Sequence, residues 1–271
     1  MSGATAVRRP RLPAPARALL RWLPAFAIVA ALVAGWQLYA TYGSVDSLLL
    51  PSPAEVADAL WSDRALLWDN FRVTAGEVLL GIAAAAAAAL LCAVAIHLSP
   101  TLRRAIYPLL VASQTVPIPL VASLLVVWLG FDLAPKLAIV GLVSFFPIVV
   151  TTLDALAAVD PERERLMRTL GASRLRTFRF VEAPAALPGL FSGAKIAVAV
   201  AVIGAVFAEQ SGSDAGLGRL VQQAVPQLLT ARAWAAVLIL SAFAIALFGL
   251  LSLVERRVLP WAFETRGGRT R

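Results

Sequence analysis

The side chains able to do chemistry in this chain are few, and most stand inside long apolar runs. Ser113, Gln114 and Thr115 are consecutive, with Pro117 and Pro119 close behind. Two prolines two residues apart remove backbone donors and bend a helix, and carbonyls freed at membrane depth are tolerated only inside protein or beside a watery cavity. The cluster therefore suits the wall of a translocation path; a kinked packing helix whose polar groups are met by its neighbours is the other reading. Lys195 is the one charge in an apolar segment that begins about eight residues earlier, roughly 12 Å along a helix. Such a charge costs about 3 kcal/mol to insert and faces the protein interior or a partner, unless it snorkels back to the surface. Glu209 and Gln210 lead into the glycine-rich residues 211–218, which lack the GK[ST] ending of a phosphate-binding loop and suit a mobile turn or external gate. Cys92 is the single cysteine and His97 the single histidine, which excludes an internal disulfide and makes a histidine-based metal site improbable. No cofactor is expected, and a membrane enzyme would need a nucleophile with a base, or a metal cluster, that these residues do not supply.

The elements that hold these residues must be membrane spans. The 271 residues are 60% hydrophobic and 15% charged, with mean hydropathy +0.81, against about 25% charged in soluble domains. The formal charge of +8 would suggest nucleic acid only if the arginines gathered on one folded face, and here they lie in short blocks between apolar runs. Nucleic acid is excluded as a partner. A span takes about 20 mostly apolar residues. Six segments qualify, at about 23–40, 71–97, 105–130, 135–155, 186–209 and 231–254. They form an all-α domain of membrane spans over 23–260, between basic tails at 1–22 and 261–271. The first segment has Trp36 and Tyr39 at its far end, which suits a retained span with an interfacial anchor better than a cleaved signal. Gly189 and Gly193 form a GxxxG pair on the fifth span, a signal for close helix packing.

Arginine placement orients the bundle. The two tails, the loop after the second span, the long loop at 157–185, and Arg256 and Arg257 after the last span together make eighteen arginines, whereas the alternate loops hold Arg64, Arg72, Lys136, Arg219 and Arg232. Cytoplasmic loops carry the excess, so both termini and the long loop are expected in the cytoplasm. The first external loop is acidic and opens with Pro51 and Pro53, predicting a short interfacial helix that acts as a lid or packing element.

The long loop reads as two short helices. Asp160 before Pro161 is a helix start, Glu162 and Glu164 favour the positive end of the dipole, and Gly171 can end the helix in a left-handed conformation. Ser173 can cap a second helix that Pro184 and Pro188 turn into the fifth span. An arginine-rich helix of this kind could simply lie on anionic lipid.

The order of residues offers another role. Gly171, nine residues, then Val181, Glu182, Ala183 and Pro184 resembles the signature loop of ABC importer permeases: Glu-Ala-Ala, three residues, Gly, nine residues, Ile, any residue, Leu, Pro. The likeness extends over about residues 70–260, through PLLVASQTVPIPL, FFPIVVTTLDAL and TLGASRLRTFRFVEAPAALPGLFSGAKIA. It is nearest the nitrate, sulfonate and taurine group, and within it the permeases for pyrimidine precursors of thiamine. The chain departs from the signature at its start: Arg165 stands at the glutamate position, Leu166 and Met167 replace the alanines, and Glu164 is one position out of register.

The resemblance implies a six-span type I importer fold in a cell inner membrane, paired as a homodimer. It implies two cytoplasmic ATPase subunits, an external solute-binding protein, surrounding lipid, and a small polar organic nutrient as cargo. In the coupling loop, Leu166, Met167 and Leu170 would supply apolar contact, Gly171 and Ala172 close approach, and Glu164, Arg168 and Arg174 charge, with Ser173 and Pro184 shaping the corner and exit. The translocation path would take Ser113, Gln114, Thr115, Pro117, Pro119, Lys195 and Glu209. An ATP-independent transporter or channel is the rival, and would favour paired acidic groups or half-helices at mid-membrane.

Overall fold

The computed structural model describes residues 14–43 and 46–262. Among these residues every regular element is helical: α1 (Ala14–Tyr42), α2 (Pro53–Ser62), α3 (Arg64–Leu98), α4 (Pro100–Ser113), α5 (Ile118–Leu129), α6 (Leu133–Ala157), α7 (Pro161–Thr169), α8 (Arg174–Thr177), a π-helical turn (Phe178–Glu182), α9 (Ala183–Gly212), α10 (Leu217–Ala224) and α11 (Thr230–Val258). Helix α1 begins inside the segment expected as a basic tail; residues 1–13 of that tail, and 263–271 of the other, lie outside the described residues.

Five spans are long and apolar enough to cross a membrane: α1, α3, α6, α8 joined to α9, and α11. The sixth corrects the expectation of one kinked helix at 105–130. It is two helices, α4 and α5, whose axes differ by 101° across a break at residues 114–117. Pro117 has no N–H to offer the preceding turn and sits at ψ 120°, outside the helical region, so the chain must leave one helix and start another.

Helices α6 and α9 lie side by side at the centre, and glycine sets their separation. A Cβ on Gly193 would stand 2.7 Å from the Pro147 carbonyl oxygen and 2.9 Å from Ile148 Cα, and one on Gly189 would stand 2.7 Å from the Thr151 carbonyl oxygen. The GxxxG pair thus faces α6, where small residues let backbones approach. Helix α3 uses the same device on its other neighbour: Gly81, Ala85, Ala89 and Ala93, four residues apart, are its buried stripe within the alanine run.

Burial divides into two main apolar clusters. One gathers Leu67 and Val78 of α3 with Val140, Ala205, Leu217 and Leu240; the other gathers Ala89, Ala93 and Ile96 of α3 with Leu110 of α4, Ile148, Leu153 and Ala197. The interfacial helix expected after Pro51 is α2. Its start is a capping box, with Ser52 Oγ accepting from Glu55 N at 3.2 Å and Ser52 N donating to Glu55 Oε2 at 2.6 Å.

Candidate functional site

The break between α4 and α5 opens a cavity of about 320 Å³. Ser113, Gln114, Thr115, Val116 and Pro117 line one side, with Leu142 and Val143 of α6 and Val200 of α9 opposite. Both hydroxyls turn back onto α4: Ser113 Oγ donates to the Leu110 carbonyl at 2.7 Å, and Thr115 Oγ1 joins Thr115 N on the Ala112 carbonyl, at 2.8 and 3.1 Å. That leaves the Gln114 amide, exposed and bonded only at 3.5 Å to Ser113 Oγ, as the most available polar group of the cavity. Pro119 is the second residue of α5, outside the lining, with its carbonyl accepting from Ser123 Oγ at 3.2 Å.

Two further residues expected on the path, Lys195 and Glu209, do not line this cavity. The Lys195 ammonium forms an ion pair with Glu255 of α11 and lies 5.9 Å from the Phe248 ring centroid. A charge on an apolar span has found a partner on the next span instead of snorkelling or reaching the cavity. Glu209 is fully buried, accepting from Thr74 Oγ1 and Gly218 N at 2.5 Å each. It occupies the N-terminus of α10, where exposed backbone donors and the helix dipole favour an anion. Asn70 Oδ1 accepts from Gly216 N at 2.8 Å, and Thr74 Oγ1 from Leu217 N at 2.9 Å. The glycine-rich stretch is therefore the point where α10 docks onto α3 and Glu209.

Several buried polar residues escaped sequence reasoning. Glu77 of α3 pairs with Lys136 of α6 at 2.8 Å, and Lys136 also donates to Ser213 Oγ at 2.6 Å. Asp63 takes both Nε and Nη2 of Arg232, at 2.6 and 3.1 Å. His97 meets Glu182 at 2.5 Å. A carboxylate just inside an apolar run, as at Glu77, is a local signal; its partner 59 residues away is not.

The long loop takes the expected shape. Asp160 accepts from Glu162 N at 2.9 Å to start α7, and Gly171 turns the corner at φ +74°, a left-handed conformation with open space around it. Ala172 N donates to the Met167 carbonyl at 2.9 Å, and Ser173 caps α8 by accepting from Arg176 N at 3.4 Å. Helix α7 buries nothing within the chain: Leu166, Arg165 and Arg168 are exposed, as are Leu170, Gly171, Ser173, Arg174 and Leu175 around the corner. Glu164 and Arg168 pair with each other at 3.4 Å, while Met167, Ala172 and Pro184 are half-buried.

Residues 78–260 match the family model of the binding-protein-dependent transport system inner membrane component. The chain belongs to this family of ABC importer permeases. Over 229 residues it is 36% identical to a probable ABC transporter permease protein of Haemophilus influenzae, covering 84% of this chain and 94% of the relative. It is 33% identical to the formylaminopyrimidine transport permease protein ThiX of Halalkalibacterium halodurans, covering 79% and 86%. Identity is also 33% to the riboflavin transport system permease protein RibX of Chloroflexus aurantiacus, covering 83% and 85%. Taurine and aliphatic sulfonate permeases are among the further relatives. The fold matches a solved amino acid ABC transporter with TM-score 0.58 and 18% identity, over 73% of this chain and 96% of that one. The permease is thus a multi-pass membrane transporter subunit of an ABC importer.

Proposed function

We propose that this permease works as a homodimer in the inner membrane, carrying a small polar organic nutrient inward under the control of cytoplasmic ATPase subunits. Both termini and the 157–185 loop face the cytoplasm, and an external binding protein delivers the cargo. The observation that carries this reading is the loop: a capped, well-formed helix–corner–helix unit on which Leu166, Leu170, Leu175 and several arginines are exposed among the described residues. A structured apolar and cationic surface held outside the apolar spans fits a protein dock. ATP-driven closure of the ATPase pair then shifts the permease between two states, because the loop binds those ATPase states with different affinity.

The cavity at the α4–α5 break is the place where solute passes, with Gln114 as its hydrogen-bonding group. In the homodimer a second such cavity completes the path, since one chain walls only half of it. Cargo resembling a formylaminopyrimidine is favoured by the ThiX relative. An ATP-independent transporter is disfavoured by the ion pairs Lys195–Glu255 and Glu77–Lys136, which tie helices to each other and leave the cavity without an acidic pair.

Reconstitution with the ATPase subunit and binding protein tests the proposal. Formylaminopyrimidine uptake into proteoliposomes should require ATP inside and fall at least about tenfold with Gly171→Asp, which adds charge and bulk at the open corner. Uptake that proceeds without ATP, or that ignores this substitution, contradicts it.

A further inference from the structure

The π-helical turn before α9 is an irregularity that the docking role alone does not require. Its wide winding is shown by Ala183 N donating to the Phe178 carbonyl five residues back. Such turns are rare, and they concentrate at functional sites. Here the turn brings two side chains onto one residue of α3. Glu182, 1% exposed, meets His97 Nε2 through Oε2 at 2.5 Å, and the Phe178 ring centroid lies 5.9 Å from that of His97.

His97 is the penultimate residue of α3, two residues before the Ser99 cap that starts α4. Its neighbour Ile96 is fully buried and packs in one cluster with Leu110 of α4, one turn before the break. A contiguous chain of contacts therefore runs from the loop, through Glu182 and His97, into the α3–α4 corner and on to the cavity.

We propose that His97 and Glu182 are positioning residues that tie the coupling loop to the cytoplasmic end of α3, so that loop movement reaches the α4–α5 break. This rests on the ATPase-docking reading above. Regaining ordinary α-helical winding would rotate the residues before Glu182 relative to α9 and separate Phe178 and Glu182 from His97. The contact thus belongs to one of the two conformations and biases the equilibrium between them.

The test uses the permease–ATPase complex carrying Cys92→Ser and a reporter Val116→Cys in the cavity wall. Maleimide labelling of the reporter is timed without nucleotide and after trapping with ATP and vanadate. The two rates should differ at least about fivefold. His97→Leu and Glu182→Leu should retain the ATPase subunit and hydrolyse ATP while the ratio of rates falls to about one. A ratio unchanged in both variants overturns the inference. Should the leucine variants not assemble, Glu182→Gln decides: the same shape without the charge should cut the ratio at least about twofold, and an unchanged ratio overturns it. A reference complex that shows no nucleotide effect, or binds no ATPase, refutes the docking reading instead of the joint.

Discussion

Lys195 and Glu255 are each the other's compensation, one on α9 and one on α11, and neither is more than slightly exposed. Removing one partner strands the other in an apolar setting, which costs about 3 kcal/mol or more, whereas removing both is often nearly neutral. Lys195→Met should therefore lower the melting temperature of the purified permease clearly more than the double variant Lys195→Met with Glu255→Met. An equal loss in both would show that the pair is dispensable. Glu209 makes a matching prediction at the other end of α9. Glu209→Ala strips three acceptor contacts, from Thr74, Gly218 and Arg219, and leaves α10 undocked. Folded yield by size-exclusion chromatography should fall sharply, with Glu209→Gln retaining more because its amide oxygen still accepts. The presence of these charges is plain in the sequence, since each interrupts or borders an apolar run. Their partners are not, because Lys195 and Glu255 are 60 residues apart and Thr74 and Glu209 are 135 apart. No periodicity or spacing rule links residues over such distances, which is why Lys195 and Glu209 were both expected on the path.

Elements show the opposite balance. The starts of α2, α7 and α8 and the end of α7 depend on neighbours within a few residues, so Pro51 with Pro53, Asp160, Ser173 and Gly171 announced them. The GxxxG pair on α9 was also legible, though only folding reveals that it faces α6. Gly193→Val should abolish stable folding, because its Cβ would meet the backbone of Pro147 and Ile148 with no flexible side chain to yield. Gly35→Ala on α1, where no atom lies within 4 Å, is the control and should leave the melting temperature unchanged or slightly raised. If the two behave alike, close α6–α9 approach is not what holds the centre. The broken span is the element least accessible from sequence. Pro117 and Pro119 signal a bend, but its angle of 101° follows from α4 packing on α3 while α5 packs on α6 and α9.

For the whole molecule, the six-span class, the membrane setting and the family were all visible in composition, span count and the loop signature. The cargo was not, because the cavity at the α4–α5 break is lined mostly by apolar residues, with Gln114 as its available polar group. Many apolar side chains on α5, among them Leu124, Val127 and Trp128, remain exposed in the single chain and await lipid or a second copy. The account rests most on a permease pair with ATPase subunits docked at the 157–185 loops. Native mass measurement of the complex purified in nanodiscs, with and without Gly171→Asp, tests that directly. The account predicts two permeases with two ATPase subunits, and two permeases alone once Gly171 is replaced; a lone permease chain, or an ATPase held equally well by the variant, would contradict it.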